Sequence, residues 1–125
     1  MKTSCFAVAG DLANAVAIDA PPAWFEGQVY EDLVPPPRIA ALSADWKLFR
    51  KYYNEHLIRL DPFRVYTDLE GKVLLGHERE DWRRSPRRLV AEWIERAVHV
   101  EVPELFLGEP EDAPGQMILF EEARF

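Results

Sequence analysis

His77 and Glu78 stand directly after the apolar run Val73-Leu-Leu75, and Arg87 follows at a helix-like start. A histidine beside a glutamate can work as an acid/base pair if both face one pocket. Neighbours in a strand point to opposite faces, so that pairing requires the strand to end at Gly76. Arginine at a helix start, with the free amides there, can hold phosphate or carboxylate. Arg83, Arg84, Ser85 and Arg88 share that candidate anion site. Two plainer readings compete. Ser85 can be only an N-cap, with the arginines solvated or paired to Glu80, Asp81 and Glu92. Glu78 can be a polar strand end in a salt bridge. The junction holds no cysteine and no evident nucleophile, so it points to binding before catalysis.

Other chemistry-bearing residues are scattered. His56, His77 and His99 lie far apart, whereas a metal site needs several ligands in fixed geometry, so no metal and no cofactor is expected. Cys5 sits in an apolar run and reads as a buried, inert thiol. Arg79, Trp82, Arg83 and Arg84 offer arginine and an aromatic together, which suits nucleic acid. The acidic overall balance argues against that partner. Trp24 and Phe25, in a proline-flanked loop, are either a lid on the core or exposed anchors for a protein partner.

Charge is unevenly placed. Residues 1–100 carry 15 acidic and 14 basic side chains, a net −1, while residues 101–125 carry 7 acidic and one basic, a net −6. Within the body, five arginines between Arg79 and Arg88 face two acids, a local +3. Such polarity steers association and says little about fold. Glu109, Glu111, Asp112, Glu121 and Glu122 form an acidic tail that can imitate a phosphate backbone toward a basic partner, and Met117-Ile-Leu-Phe120 can dock.

The elements that must position these groups follow from the apolar pattern. At 125 residues, 48% of them hydrophobic and four of them tryptophan, the chain suits one compact domain with a real core. Its single cysteine rules out an internal disulfide and a multi-thiolate zinc site, which fits a reducing cytosol. No leader-like start and no apolar run of membrane-spanning length is evident, so a cytoplasmic protein without membrane contact is expected. Cys5–Ala9 and Ala15–Ile18 read as buried strands. Pro35-Pro36-Pro37 forces an extended segment.

Ser43 can cap a helix over about 44–60, with Trp46, Phe49, Tyr53, Leu57 and Leu60 on one face. Asp61-Pro62 opens a shorter helix to about Leu69 that stops at Gly71; the alternative there is a hairpin. Val73–Leu75 is the central strand. Ser85-Pro86 starts a helix striped by Leu89, Val90, Trp93, Ile94 and Ala97, and Val98–Val102 alternates like a final strand. The order predicts an α/β domain over 1–105 with a mainly parallel sheet flanked by helices, and an acidic extension over 106–125. Ligand sites in such sheets lie outside the carboxyl ends of the strands, where His77, Glu78 and Arg87 fall.

The chain resembles the bacterial, archaeal and phage proteins of domain-of-unknown-function family 488, from its N-terminus to about residue 105. The likeness rests on Pro22-Ala-Trp-Phe-Glu-Gly27, Tyr30 with Leu33, Tyr52-Tyr53, Leu60-Asp-Pro62, Val73-Leu-Leu75 with Glu78, and Arg87-Arg-Leu-Val-Ala-Glu-Trp93. Members typically carry a cysteine after the Val-Leu-Leu strand and a Cys-His-Arg triplet at the next helix start. The resemblance implies a thiol/imidazole site there. In this chain Gly76 takes the first cysteine's place, Ser85-Pro86 replaces Cys-His, and only Arg87 remains. The resemblance therefore implies the fold and an anion-friendly pocket. With the site degenerate, the leading expectation is a non-catalytic protein-binding module, such as a phage or mobile-element inhibitor of a host nucleic-acid-handling complex of the anti-CRISPR kind. A small enzyme or a nucleotide- or phosphate-binding protein at the pocket is the alternative, and a nucleic-acid binder the third.

Overall fold

The computed structural model describes residues 1–106. The acidic residues Glu109, Glu111, Asp112, Glu121 and Glu122, and Met117–Phe120, lie outside the described residues. Four parallel strands form one sheet in the order β1-β4-β2-β3, with β1 at Lys2–Cys5, β2 at Ala15–Ala17, β3 at Gln28–Val29 and β4 at Val73–Gly76. Five α-helices flank it: α1 (Phe6–Ala9), α2 (Pro37–Ala40), α3 (Trp46–Ile58), α4 (Pro62–Leu69) and α5 (Pro86–Val98). A single 3-10 turn spans Glu31–Leu33.

The two faces of the sheet are unequally covered. Val16, Ile18 and Leu74 point into a core built with Phe49, Tyr53 and Leu57 of α3, Val65 and Leu69 of α4, and Leu89, Val90, Trp93 and Ile94 of α5. Ala15, Ala17, Val73 and Leu75 point the other way, into a small cluster closed by Phe6, Ala9 and Phe25. This is the period-2 alternation of strands. The continuous apolar runs arise because both faces are covered, one of them thinly.

Asp61 caps α4: its Oδ1 accepts the amides of Phe63 (3.0 Å) and Arg64 (3.4 Å). Pro62 takes the first helical position, where no amide partner is lost. Gly71, at φ +79°, reverses the chain into β4 without Cβ strain. The expected stop at Gly71 is therefore present. Replacing Asp61 by alanine should cost about 1 kcal/mol in urea unfolding, since two helix amides lose their acceptor.

Four expectations need correction. Cys5–Ala9 is not a strand: β1 lies earlier, over Lys2–Cys5, and Phe6–Ala9 turns into α1. Polar Thr3 and Ser4 can occupy a buried strand because Glu104 Oε1 accepts from Thr3 Oγ1 (2.7 Å) and the Leu105 carbonyl accepts from Ser4 Oγ (2.8 Å). Val98–Val102 is not a strand either. Val98 ends α5, His99 takes a left-handed conformation (φ 63°) as its cap, and the next residue paired to the sheet is Glu104, which bridges Thr3 in parallel. The helix expected from Ser43 starts instead at Trp46, because Asp45 supplies the cap to the Leu48 amide (3.2 Å). Pro37 does not extend the proline segment but opens α2.

Candidate functional site

Chain leaving β2 runs to one edge of the sheet through β3, while chain leaving β4 returns through α5 to the opposite edge beside β1. Adjacent strands with diverging exits leave a crevice outside their carboxyl ends. Here that crevice is a cleft of about 270 Å³. Asp19 follows β2, His77 and Glu78 follow β4, and Arg84 and Pro86 come from the start of α5. Ser43, Trp46 and Phe49 close the other side. The rings of Trp46 and Phe49 stack at 5.7 Å and 20°.

Two carboxyls meet there. Burial pushes Asp19 above the ordinary carboxylate range, against an opposing hydrogen bond from the Ala20 amide (2.8 Å). Burial raises Glu78 too, and the negative charge of Asp19 raises it further, against the pull of Arg87 and His77. His77 Nε2 lies 2.5 Å from the Ala20 carbonyl, which can only accept, so this nitrogen is the donor.

The raised carboxyls give stability a sign with pH. A carboxyl with a higher pKa folded than unfolded keeps its proton longer in the folded chain. Its contribution is most favourable below the ordinary carboxylate pKa and is lost as pH rises through the raised value. The stability of Asp19→Asn relative to the parent should therefore improve as pH climbs from about 4 toward neutrality. Urea titrations at stepped pH check this, and a difference that stays flat would remove burial as the cause.

Arg87 is the buried centre of the junction, with 0% exposure. Its Nη2 donates to Glu104 Oε2 (2.8 Å) and to the Glu78 carbonyl (2.6 Å), and its Nε donates to both Glu104 oxygens at 3.2 Å. Its Nη1 forms an ion pair with Glu78 Oε1 at 3.7 Å, and among the described residues neither of these two atoms has a hydrogen-bond partner. A Cβ on Gly76 would lie 3.3 Å from Arg87 Nη1, so the bare strand end lets the guanidinium approach the sheet. Arg88 is likewise committed: its Nη1 donates to Thr3 Oγ1 and to the Val102 carbonyl, both at 2.8 Å.

These contacts correct the anion-site expectation. Arg87 and Arg88 are structural ties rather than free cations: the buried Arg87 guanidinium needs a counter-charge, which Glu104 supplies, and Arg88 is held by Thr3 Oγ1 and the Val102 carbonyl. Ser85 is buried, and its Oγ donates to the Trp82 carbonyl rather than capping α5. Arg79, Arg83 and Arg84 are exposed, with Arg84 alone among them lining the cleft. Arg83 lies over the Trp82 ring at 4.4 Å, and Phe106 meets that ring edge-on at 5.2 Å. Phe25 is half-buried against Phe6, whereas Trp24 is 57% exposed. Cys5 is buried. His56 bonds the Asp32 carbonyl, and His99 caps α5. Among the described residues no cluster of three His, Cys, Asp or Glu is placed to hold a metal, and no helix is long and apolar enough to cross a membrane.

The structure thus joins His77 and Glu78 and sets Arg87 behind them. It adds Asp19, Glu104, Ser43 and Trp46, which the residue pattern alone does not assign to the site. Asp19 had a usable signal: it ends an apolar run as His77 ends another, so both fall at carboxyl ends of strands. No protein-family model matches the chain, and no curated protein and no solved structure matches it.

Proposed function

We propose that the chain works by binding a small polar molecule in the cleft at the carboxyl ends of β2 and β4. The observation that carries this is the convergence of two burial-raised carboxyls, Asp19 and Glu78, on one concave site walled by Trp46 and Phe49. Two carboxyls offer several acceptor oxygens, and an apolar wall with a few convergent polar groups is the usual make-up of a ligand site. Phosphate is a poor fit, since Arg87 is already neutralised by Glu104. In this reading the likeness to the thiol-bearing family reflects a shared fold whose thiol position has become Gly76.

A panel of amino acids, amines, sugars, carboxylates and nucleosides, read by thermal shift on the full chain, tests the reading. At least one class should stabilise the parent and lose its effect in both Asp19→Asn and Trp46→Ala. Binding that survives both substitutions would place the site elsewhere.

A protein-binding role, including that of a phage-type inhibitor, has one observation in its favour. Trp24 rests on the Phe6 ring edge (6.4 Å) with more than half its surface exposed, as a hot-spot anchor would. It predicts that Trp24→Ala abolishes capture of a partner while the cleft variants do not. A nucleic-acid role is less favoured, because stacking a base on Trp82 requires Arg83 to leave its ring.

A further inference from the structure

We infer that the cleft takes a free α-amino acid with an apolar side chain, its ammonium at Asp19 and its carboxylate at Arg84. This rests on the cleft being the functional site and names what it holds. The charges on the lining set the class. Asp19 makes no ion pair among the described residues. Its Oδ1 accepts the Ala20 amide (2.8 Å), which leaves Oδ2 for a ligand. Glu78 also lines the cleft, but its Oε1 is turned to Arg87, which is closed off behind it. His77 commits its Nε2 to the Ala20 carbonyl. Burial acts on both carboxyls more strongly than the pull of Arg87 or His77 on either. A partly desolvated carboxyl with too little positive charge around it is costly, and an ammonium donating to it relieves that cost.

Arg84 supplies the opposite charge. It is the arginine on the lining, it is exposed, and it too makes no ion pair among the described residues. Its fork of N–H donors matches a carboxylate. Asp19 and Arg84 thus stand in one cleft without pairing across it. A zwitterion answers both, whereas a plain acid brings a second negative charge to Asp19 and a plain amine a second positive one to Arg84. Trp46 and Phe49, stacked at 5.7 Å, with Pro35 and Pro86, form an apolar wall that suits a hydrocarbon side chain. At about 270 Å³ the cleft has room for one amino acid rather than a long peptide.

The test is calorimetric titration of the full chain with L-phenylalanine, L-tryptophan and L-leucine. The amine and the acid that each lack one charged group of the binder follow, such as phenethylamine and 3-phenylpropionate. At least one amino acid should bind saturably and about tenfold or more tighter than either analogue, the worth of one charge-assisted hydrogen bond. Asp19→Asn can keep the bond to the Ala20 amide while removing the charge, so it should erase the amino acid's advantage over the acid. Arg84→Ala, at an exposed position, should erase its advantage over the amine. Each variant is checked for a native circular dichroism spectrum. An analogue that binds as tightly as the amino acid overturns the inference. So does binding of another class from the panel above, dependent on Asp19 and Trp46, with none of the three amino acids bound, although the cleft then stands as the site. No binding by any member, or binding indifferent to both Asp19→Asn and Trp46→Ala, overturns the inference and the site together.

Discussion

Replacing Arg87 by methionine should lower the unfolding free energy by about 3–5 kcal/mol, the usual cost of breaking a buried ion pair from one side. The guanidinium is wholly enclosed, and Glu104, its main partner, has a side chain only 5% exposed. Without Arg87 the Glu104 carboxylate keeps only the hydroxyl of Thr3 and must be desolvated or protonated. A single domain commonly has only about 5–15 kcal/mol in hand, so the loss will be obvious in urea titration. Removing both charges should hurt less than removing one. Arg87→Met with Glu104→Gln should recover a large part of the loss, because the orphaned charge goes with its partner. Additive losses in that cycle would mean that packing rather than the ion pair explains the cost. Arg87→Lys keeps the charge but cannot reproduce the fork to both Glu104 oxygens, and should fall between.

The second large effect belongs to β4. Leu74→Ala should cost about 2–5 kcal/mol, as for other buried leucines. Leu74 is fully buried among Val16 and the inward faces of α3, α4 and α5, a core too closely braced to collapse into the gap. Leu75, one residue on and equally buried, faces the small cluster under α1. That side is closed by a four-residue helix and the Phe25 loop, which can settle inward, so Leu75→Ala should lie lower in the same range. Equal losses at both positions would mean that the thin face is as rigid as the thick one. The comparison bears on function, because both residues lead directly into Gly76 and the cleft.

Much of this arrangement was legible in the residues. Asp61-Pro62, Gly71 and Ser85-Pro86 mark element boundaries through backbone chemistry that tertiary context rarely overrides, and each boundary falls where expected within a residue or two. Val73–Leu75 was legible as a central strand, and the sheet is parallel throughout. The first strand was hidden because Lys2, Thr3 and Ser4 look like a solvated start. Lys2 stays exposed, and only the side-chain hydrogen bonds of Thr3 and Ser4 to Glu104 and Leu105 make their burial tolerable. A short apolar run such as Phe6–Ala9 carries no periodicity to separate strand from helix. The alternation of Val98–Val102 misled for another reason: Val98 faces the core from α5, and Val102 does so from the chain beyond the cap.

The site was half legible for the same reason. His77, Glu78 and Arg87 stand near one another in sequence, whereas Asp19 is brought in by strand pairing. Glu104 sits in an acid-rich stretch that reads as solvated until its hydrogen bonds to Arg87 and Thr3 are known.

The pairing of Thr3 with both Leu74 and Glu104 fixes a constraint on the order of assembly. The first strand finds its inner neighbour only once residues 73–76 exist, and its outer one only once residues 103–105 do. Closing loops of that length is slow compared with forming local helices. During synthesis α3 and α4 can dock on each other early. The chain's beginning must wait with unsatisfied strand amides, and α5 with an uncompensated guanidinium. Ribosome-bound chains halted before Glu104 should therefore remain protease-sensitive at their N-terminus, and protection should appear abruptly when the acid that neutralises Arg87 emerges.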